Sequence, residues 1–121
     1  KTMALYFNLP VYKESYELLL MIFQNSSKLP KDYKYTLGER LKNEVTEVLV
    51  SIFEASQSKD KNKAVAIKKA LNSLKKCRLF IRILKDKNIW GISKQEKKKK
   101  KIESISKQLT QWSIHTARVL Q

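Results

Sequence analysis

The sequence predicts an all-α chain, an antiparallel up-down four-helix bundle, and three observations carry that prediction. Only two Gly (Gly38, Gly91) and two Pro (Pro10, Pro30) interrupt 121 residues, too few breaks for an all-β or α/β chain. Between them, apolar residues recur at spacings of three and four, the period of a helix face. Two stretches with capping-box spacing, Thr36-x-x-Glu39 and Ser93-x-x-Glu96, stand at the start of such periodic segments. Four helices joined by short connections favour antiparallel neighbours, and residues 1–121 are one domain, able to bury roughly two thirds of the surface the unfolded chain exposes.

The first helix is expected over about residues 10–26. Pro10 suits a first helical turn, Tyr12, Tyr16, Leu19, Leu20 and Phe23 form its main stripe, and Asn25-Ser26-Ser27 closes it. Residues 29–35 read as a turn or one short helical turn. The second helix, about 36–57, starts at Thr36 and places Leu37, Leu41, Val45, Val48 and Ile52 on one face. Asp60 is the expected cap of the third, about 60–88, with the stripe Ile67, Ala70, Leu71, Leu74, Cys77, Ile81 and Leu84. Gly91 breaks the chain, and the fourth helix, about 93–119, carries Ile102, Ile105, Leu109, Trp112 and Thr116.

Two helices hold more apolar surface than one seam requires: Val11, Leu18 and Ile22 lie off the main stripe of the first, Leu49 and Phe53 off that of the second. Either a second subunit covers that surface or the core face is wide.

Charge is distributed unevenly. Residues 1–58 carry 7 Lys+Arg against 7 Asp+Glu, whereas residues 59–121 carry 19 against 4, which is the whole net charge of +15. Between Lys61 and Lys85 there is no acid and there are nine bases: Lys61, Lys63, Lys68, Lys69, Lys75, Lys76, Arg78, Arg82 and Lys85. Lys61, Lys68, Lys75 and Arg82 follow one another at heptad intervals and line one side of the third helix, and the basic stretch from Lys61 to Lys85 makes a ridge of about 36 Å suited to a phosphate backbone. An ordinary solvated face mixes signs, and this one does not. The run Lys97, Lys98, Lys99, Lys100 and Lys101 points all round a helix, at a first turn prone to fray, and is expected to add diffuse attraction. Tyr33 and Tyr35, interleaved with Lys31 and Lys34, either stack on unpaired bases or pack over the bundle end.

Catalysis is not expected. His115 and Cys77 are each the only residue of their kind, so a zinc site or a cysteine-histidine dyad within one chain is disfavoured, and no glycine-rich phosphate loop exists. The pairs Glu14/Glu17 and Glu44/Glu47 read as solvated helix-face charges rather than metal ligands, and Cys77 as a small core hydrophobe. No cofactor, metal or small-molecule substrate is implied. The longest apolar run, Leu18 to Phe23, is far short of a membrane span, and a single cysteine fits an intracellular, cytoplasmic protein.

Leu29-Pro30-Lys31, then Tyr35-x-Leu37-Gly38-x-x-Leu41, then Ile52-Phe53-Glu54-Ala55 resemble the Avd family, the accessory variability determinants of diversity-generating retroelements. So do Leu74-Lys75-Lys76-x-Arg78-Leu79-x-Ile81-Arg82-Ile83-Leu84 and Ile105-x-x-Gln108-Leu109-x-x-Trp112. The resemblance covers about residues 9 to 115 and departs at Thr110-Gln111, where the family commonly has a glycine pair. The bundle is also similar to the proteins of 23S rRNA intervening sequences. What the Avd resemblance implies is a barrel-like homopentamer that binds the element's reverse transcriptase and template RNA and supports mutagenic cDNA synthesis without catalysing it. A lipid-surface protein and an adaptor for an acidic protein are the competing classes. Arg78 and Arg82 are the expected centre of the partner surface, because a guanidinium suits bidentate contact with phosphate or carboxylate.

Overall fold

The computed structural model describes residues 6–120, the side chains of residues 7 and 120 excepted; the outer limits of the expected domain lie beyond them. A 3-10 turn, Tyr6–Asn8, leads into α1 (Pro10–Ser26). A helical turn at Lys31–Tyr33 and a π-helical turn at Lys34–Gly38 lead into α2 (Glu39–Gln57). Then come α3 (Asp60–Asp86) and α4 (Ile92–Leu120), and the described residues include no strand.

Each helix packs on its neighbours in the chain, and α1 closes the ring against α4, so α1 and α3 lie across the bundle from one another. Side-chain pairs show the antiparallel sense. Lys98 meets Asn25 while Gln108 meets Glu14, and the groove between α3 and α4 brings Lys85 beside Gln95 and Arg78 beside Ile102.

Pro10 occupies the first turn of α1, where its missing N–H is not needed, and Leu9, in extended backbone, supplies the first helical carbonyl to Tyr12 and Lys13. The interior row of α1 is Val11, Ser15, Leu18, Ile22 and Ser26. This shifts the expected faces: Tyr16, Leu20 and Phe23 are 49%, 51% and 50% exposed, Tyr12 and Leu19 are half-buried against the core, and the residues assigned to the second face form its interior row. Two serines hid the interior row. The Ser15 hydroxyl donates to the Val11 carbonyl at 2.7 Å and that of Ser26 to the Phe23 carbonyl at 3.3 Å. Each hydroxyl is satisfied within its own helix, so burying it incurs no penalty for an unmade bond.

α2 buries Leu41, Val45, Val48, Leu49, Ile52 and Ala55. Leu49, expected on a second face, is covered within the chain, and Phe53 packs edge-on against Tyr6 with ring centroids 4.8 Å apart. Helical structure begins before Thr36, after Pro30 in extended backbone. The Thr36 hydroxyl donates back to the Asp32 carbonyl at 2.6 Å, so the capping box expected there does not form. Gly38 sits where this segment crosses the end of α1: a Cβ would lie 3.1 Å from Leu29 Cδ1.

The stripes expected for α3 and α4 are the ones buried, with Ala66, Ser73 and Phe80 added to α3, and Leu71 and Trp112 half-buried. Their ends differ from expectation. Asp60 is the first residue of α3 at φ 55 and makes no side-chain cap; the Lys59 carbonyl accepts from Asn62 and Lys63 instead. At the other end the chain turns at Asn88, and Gly91 is the non-helical residue immediately before α4. Asn88 has φ 58, its N–H donates to Lys85 O, and the Ile89 N–H donates to Leu84 O, both at 2.9 Å, the paired bonds of a Schellman ending. The Gly91 carbonyl then accepts from Gln95, which puts Ser93 inside α4 rather than at its cap. Among the described residues no helix is long and apolar enough to cross a membrane.

The left-handed conformation at Asn88 yields a prediction. Asn88→Gly should unfold at the same temperature or a few degrees higher, whereas Asn88→Ala should lose about 1 kcal/mol, because a Cβ opposes positive φ and alanine cannot bond locally as asparagine does. Thermal melts followed by circular dichroism would give this order, and an alanine variant as stable as the glycine variant would contradict it.

Candidate nucleic-acid interface

A helix packed on two neighbours must turn its remaining side outward, and on α3 that side carries the bases. Lys61, Lys68, Lys75 and Arg82 are all exposed, as are Lys69 and Lys76 toward α2 and Arg78 and Lys85 toward α4. The ridge is nevertheless less uniform than the stretch from Lys61 to Lys85 implies, because α2, α4 and the last residue of α3 itself supply acids. Arg78 pairs with Glu103 of α4 at 3.2 Å, Arg82 with Asp86 at 3.2 Å, and Lys76 with Glu44 of α2 at 3.8 Å. The Arg78 and Arg82 pairs are exposed on both sides and contribute little to stability, so an incoming anion can displace them, whereas Glu44 in the longer Lys76 pair is half-buried. Lys61, Lys68, Lys69, Lys75 and Lys85 form no ion pair with any described residue.

The lysine run forms part of the second and third turns of α4, and the packed helix divides it. Lys99 faces α3 and, with Arg78, Arg82 and Lys85, rims a groove of about 170 Å³. Lys97, Lys100 and Lys101 face α1 beside Glu14 and Met21. Lys101 is half-buried and bonds to Glu17, with Glu14 at 3.9 Å. Ser104 and Gln108 each donate to Glu14 at 2.5 Å.

Lys98 corrects the expectation of a frayed, outward-pointing run. It is 1% exposed, its ammonium donates to Asn25 Oδ1 and to the Lys94 carbonyl at 3.1 Å, and it lies 4.3 Å from the Trp90 ring centroid. Those partners accept hydrogen bonds but carry no net charge. Burial therefore pushes the Lys98 ammonium down to about 8, and Lys94 and Lys97 add to the shift. The heptad could have revealed this, since the core spacing of α4 continued back from Ile102 lands on Lys98 and then on Gln95, which is also buried. Lys98 cannot contact a phosphate from inside the bundle, and Lys101 already holds two carboxylates.

Of the two tyrosines considered for base stacking, Tyr33 packs against the core, while Tyr35 is exposed with Lys34 Nζ 5.5 Å from its ring centroid. The Cys77 thiol is buried and pushed up to about 12, first by desolvation and then by Glu44, so it presents no thiolate near neutral pH. Among the described residues no three of His, Cys, Asp and Glu gather closely enough to hold a metal ion.

A family model described as 23S rRNA-intervening sequence protein matches residues 8–111, which span α1 to α3 and most of α4. No curated protein matches the chain.

The buried ammonium predicts how stability varies with pH. The Lys98 folded-state value, about 8, lies below the ordinary 10.5, so the unfolded chain binds the extra proton between the two and stability rises across that interval. Relative to Lys98→Met, the wild type should gain about 3 kcal/mol between pH 7 and pH 10.5. Urea midpoints of both proteins across that range would test it, and parallel curves would show that Lys98 does not lose its proton early.

Proposed function

Because the chain belongs to the 23S rRNA-intervening sequence protein family, we propose that it is a non-catalytic RNA-binding scaffold whose phosphate surface is the outer face of α3 extended by Lys99. The observation that carries this reading is the set Lys61, Lys68, Lys69, Lys75 and Lys85, exposed along one helix with no carboxylate partner among the described residues. Such an array repels itself, and a polyanion relieves that repulsion while releasing its own counterions. Lipid fits less well, because the apolar stripe of α3 is committed to the core and the outer face offers only Val65 and Leu79 for insertion.

Within that reading the chain acts as the accessory protein of a diversity-generating retroelement, holding template RNA and reverse transcriptase in a cytoplasmic homopentamer. The Avd-like order of segments supports this. So does the row Tyr16, Leu20 and Phe23: it lies on the helix across the bundle from α3, so assembly through α1 would leave every basic ridge free.

Fluorescence anisotropy with single-stranded RNA tests the surface. Affinity should fall with salt at a log–log slope of about −3 to −4 if about five cations meet phosphates. Arg78→Glu with Arg82→Glu should abolish binding without changing helicity. Neutralising Lys97, Lys99 and Lys100 should cost only modest affinity, and Asp86→Asn with Glu103→Gln, which frees both arginines, should strengthen binding about threefold. A flat salt response would reject the phosphate surface.

The assembly is tested separately by native mass spectrometry, which should give five 14.2 kDa protomers. Leu20→Glu with Phe23→Glu should give folded monomers, and a wild-type monomer at micromolar concentration would reject the pentamer.

A further inference from the structure

A second basic and aromatic site forms at the opposite end of the bundle from Lys98, from residues far apart in sequence. The start of α3 and the last turns of α4 flank an open pocket of about 370 Å³. Trp112 and the buried Thr116 line it from α4, with Val119 and His115 beside them, and Lys59 and Lys63 line it from the other side. Lys63 Nζ lies 5.3 Å from the Trp112 ring centroid, over the indole. Asp60 is the one acid in the lining. Lys61 leaves the helix two residues before Lys63, hence on the other side, where the ridge begins.

We propose that this pocket binds a single unpaired nucleotide of the RNA, its base stacked on Trp112 and its phosphate on Lys59 and Lys63. The proposal rests on the RNA-binding reading and assigns it a second site. A planar aromatic face beside two cations matches the two halves of a nucleotide, a base and its phosphate, and stacking on indole accepts any base. The volume stands near the lower end of small-ligand cavities, about 300 to 1,000 Å³, which suits one nucleotide rather than a helical segment. In the free protein the Lys63 ammonium occupies the indole face through a cation–π contact. The arriving base takes that face, and the ammonium moves to the phosphate delivered with it. His115 stands at the rim, where its ring can hydrogen-bond a base edge or ribose hydroxyl.

Adenosine monophosphate is the probe, added to the full chain at millimolar concentration while the two indole N–H resonances are followed by NMR. Trp112→Phe assigns the signals and keeps an aromatic ring in the fold. Adenosine monophosphate should shift the Trp112 signal and leave that of the buried Trp90 in place, inorganic phosphate should move neither, and Lys59→Gln with Lys63→Gln should weaken binding about tenfold. The Arg78→Glu, Arg82→Glu protein should respond as the wild type does, so loss of the ridge and loss of this site are read separately. A Trp112 signal that stays fixed, or one that phosphate alone shifts equally, overturns the proposal. So does full affinity in the double lysine variant.

Discussion

The seam between α1 and α4 is the contact that makes this chain a closed bundle, and it is polar. The other contacts along the ring join successive helices, which short connections already hold together; α1 and α4 meet from opposite ends of the sequence. Their register is set by Lys98 on Asn25 at one level, by Lys101 on Glu17 and Glu14 at the next, and by Ser104 and Gln108 on Glu14 beyond it. Apolar rows alone would tolerate a slip of one turn. A slip here would strand the Lys98 ammonium without Asn25 and Glu14 without two donors, so the polar seam selects one alignment, a use of buried polar groups that favours specificity over raw stability.

That alignment decides which cations are free. With α4 held by α1, Glu103 reaches Arg78, Lys99 joins the groove of Arg82 and Lys85, and Lys98 and Lys101 are withdrawn from the surface. The +15 charge thus overstates what a partner meets. What stands outward is five bases of α3 with no ion pair among the described residues, Arg78 and Arg82 with exposed carboxylate partners, Lys76 beside the half-buried Glu44, and Lys99.

The architecture was legible because helix periodicity is a local property: the stripes of α3 and α4 became their buried faces, and of the α2 stripe only Leu37 is half-buried. The α1 faces were misassigned because hydropathy counts Ser15 as polar, whereas a serine bonded to its own helix behaves as a small core residue. Three capping expectations failed although Thr36, Asp60 and Ser93 have the right identities: Thr36 and Ser93 lie within helical backbone, and Asp60 is itself the first helical residue, at φ 55. The lysine run was misread through its charge, although its heptad position was correct for the core. The pocket at Trp112 was not visible at all, since about fifty residues separate Lys59 and Lys63 from the α4 side chains they face.

The heptad spacing of the α3 ridge has an effect on the free protein as well. Lys61, Lys68, Lys75 and Arg82 follow one another at about 10.5 Å, close to the Debye length of about 10 Å in 0.1 M salt and beyond the roughly 8 Å of physiological ionic strength. In dilute buffer each cation feels its neighbours along the helix, and in physiological salt it is largely screened from them. The free chain is therefore least comfortable in the ionic conditions where it would hold a polyanion most tightly. Counterions and any polyanion that binds there would compete to neutralise the same helix.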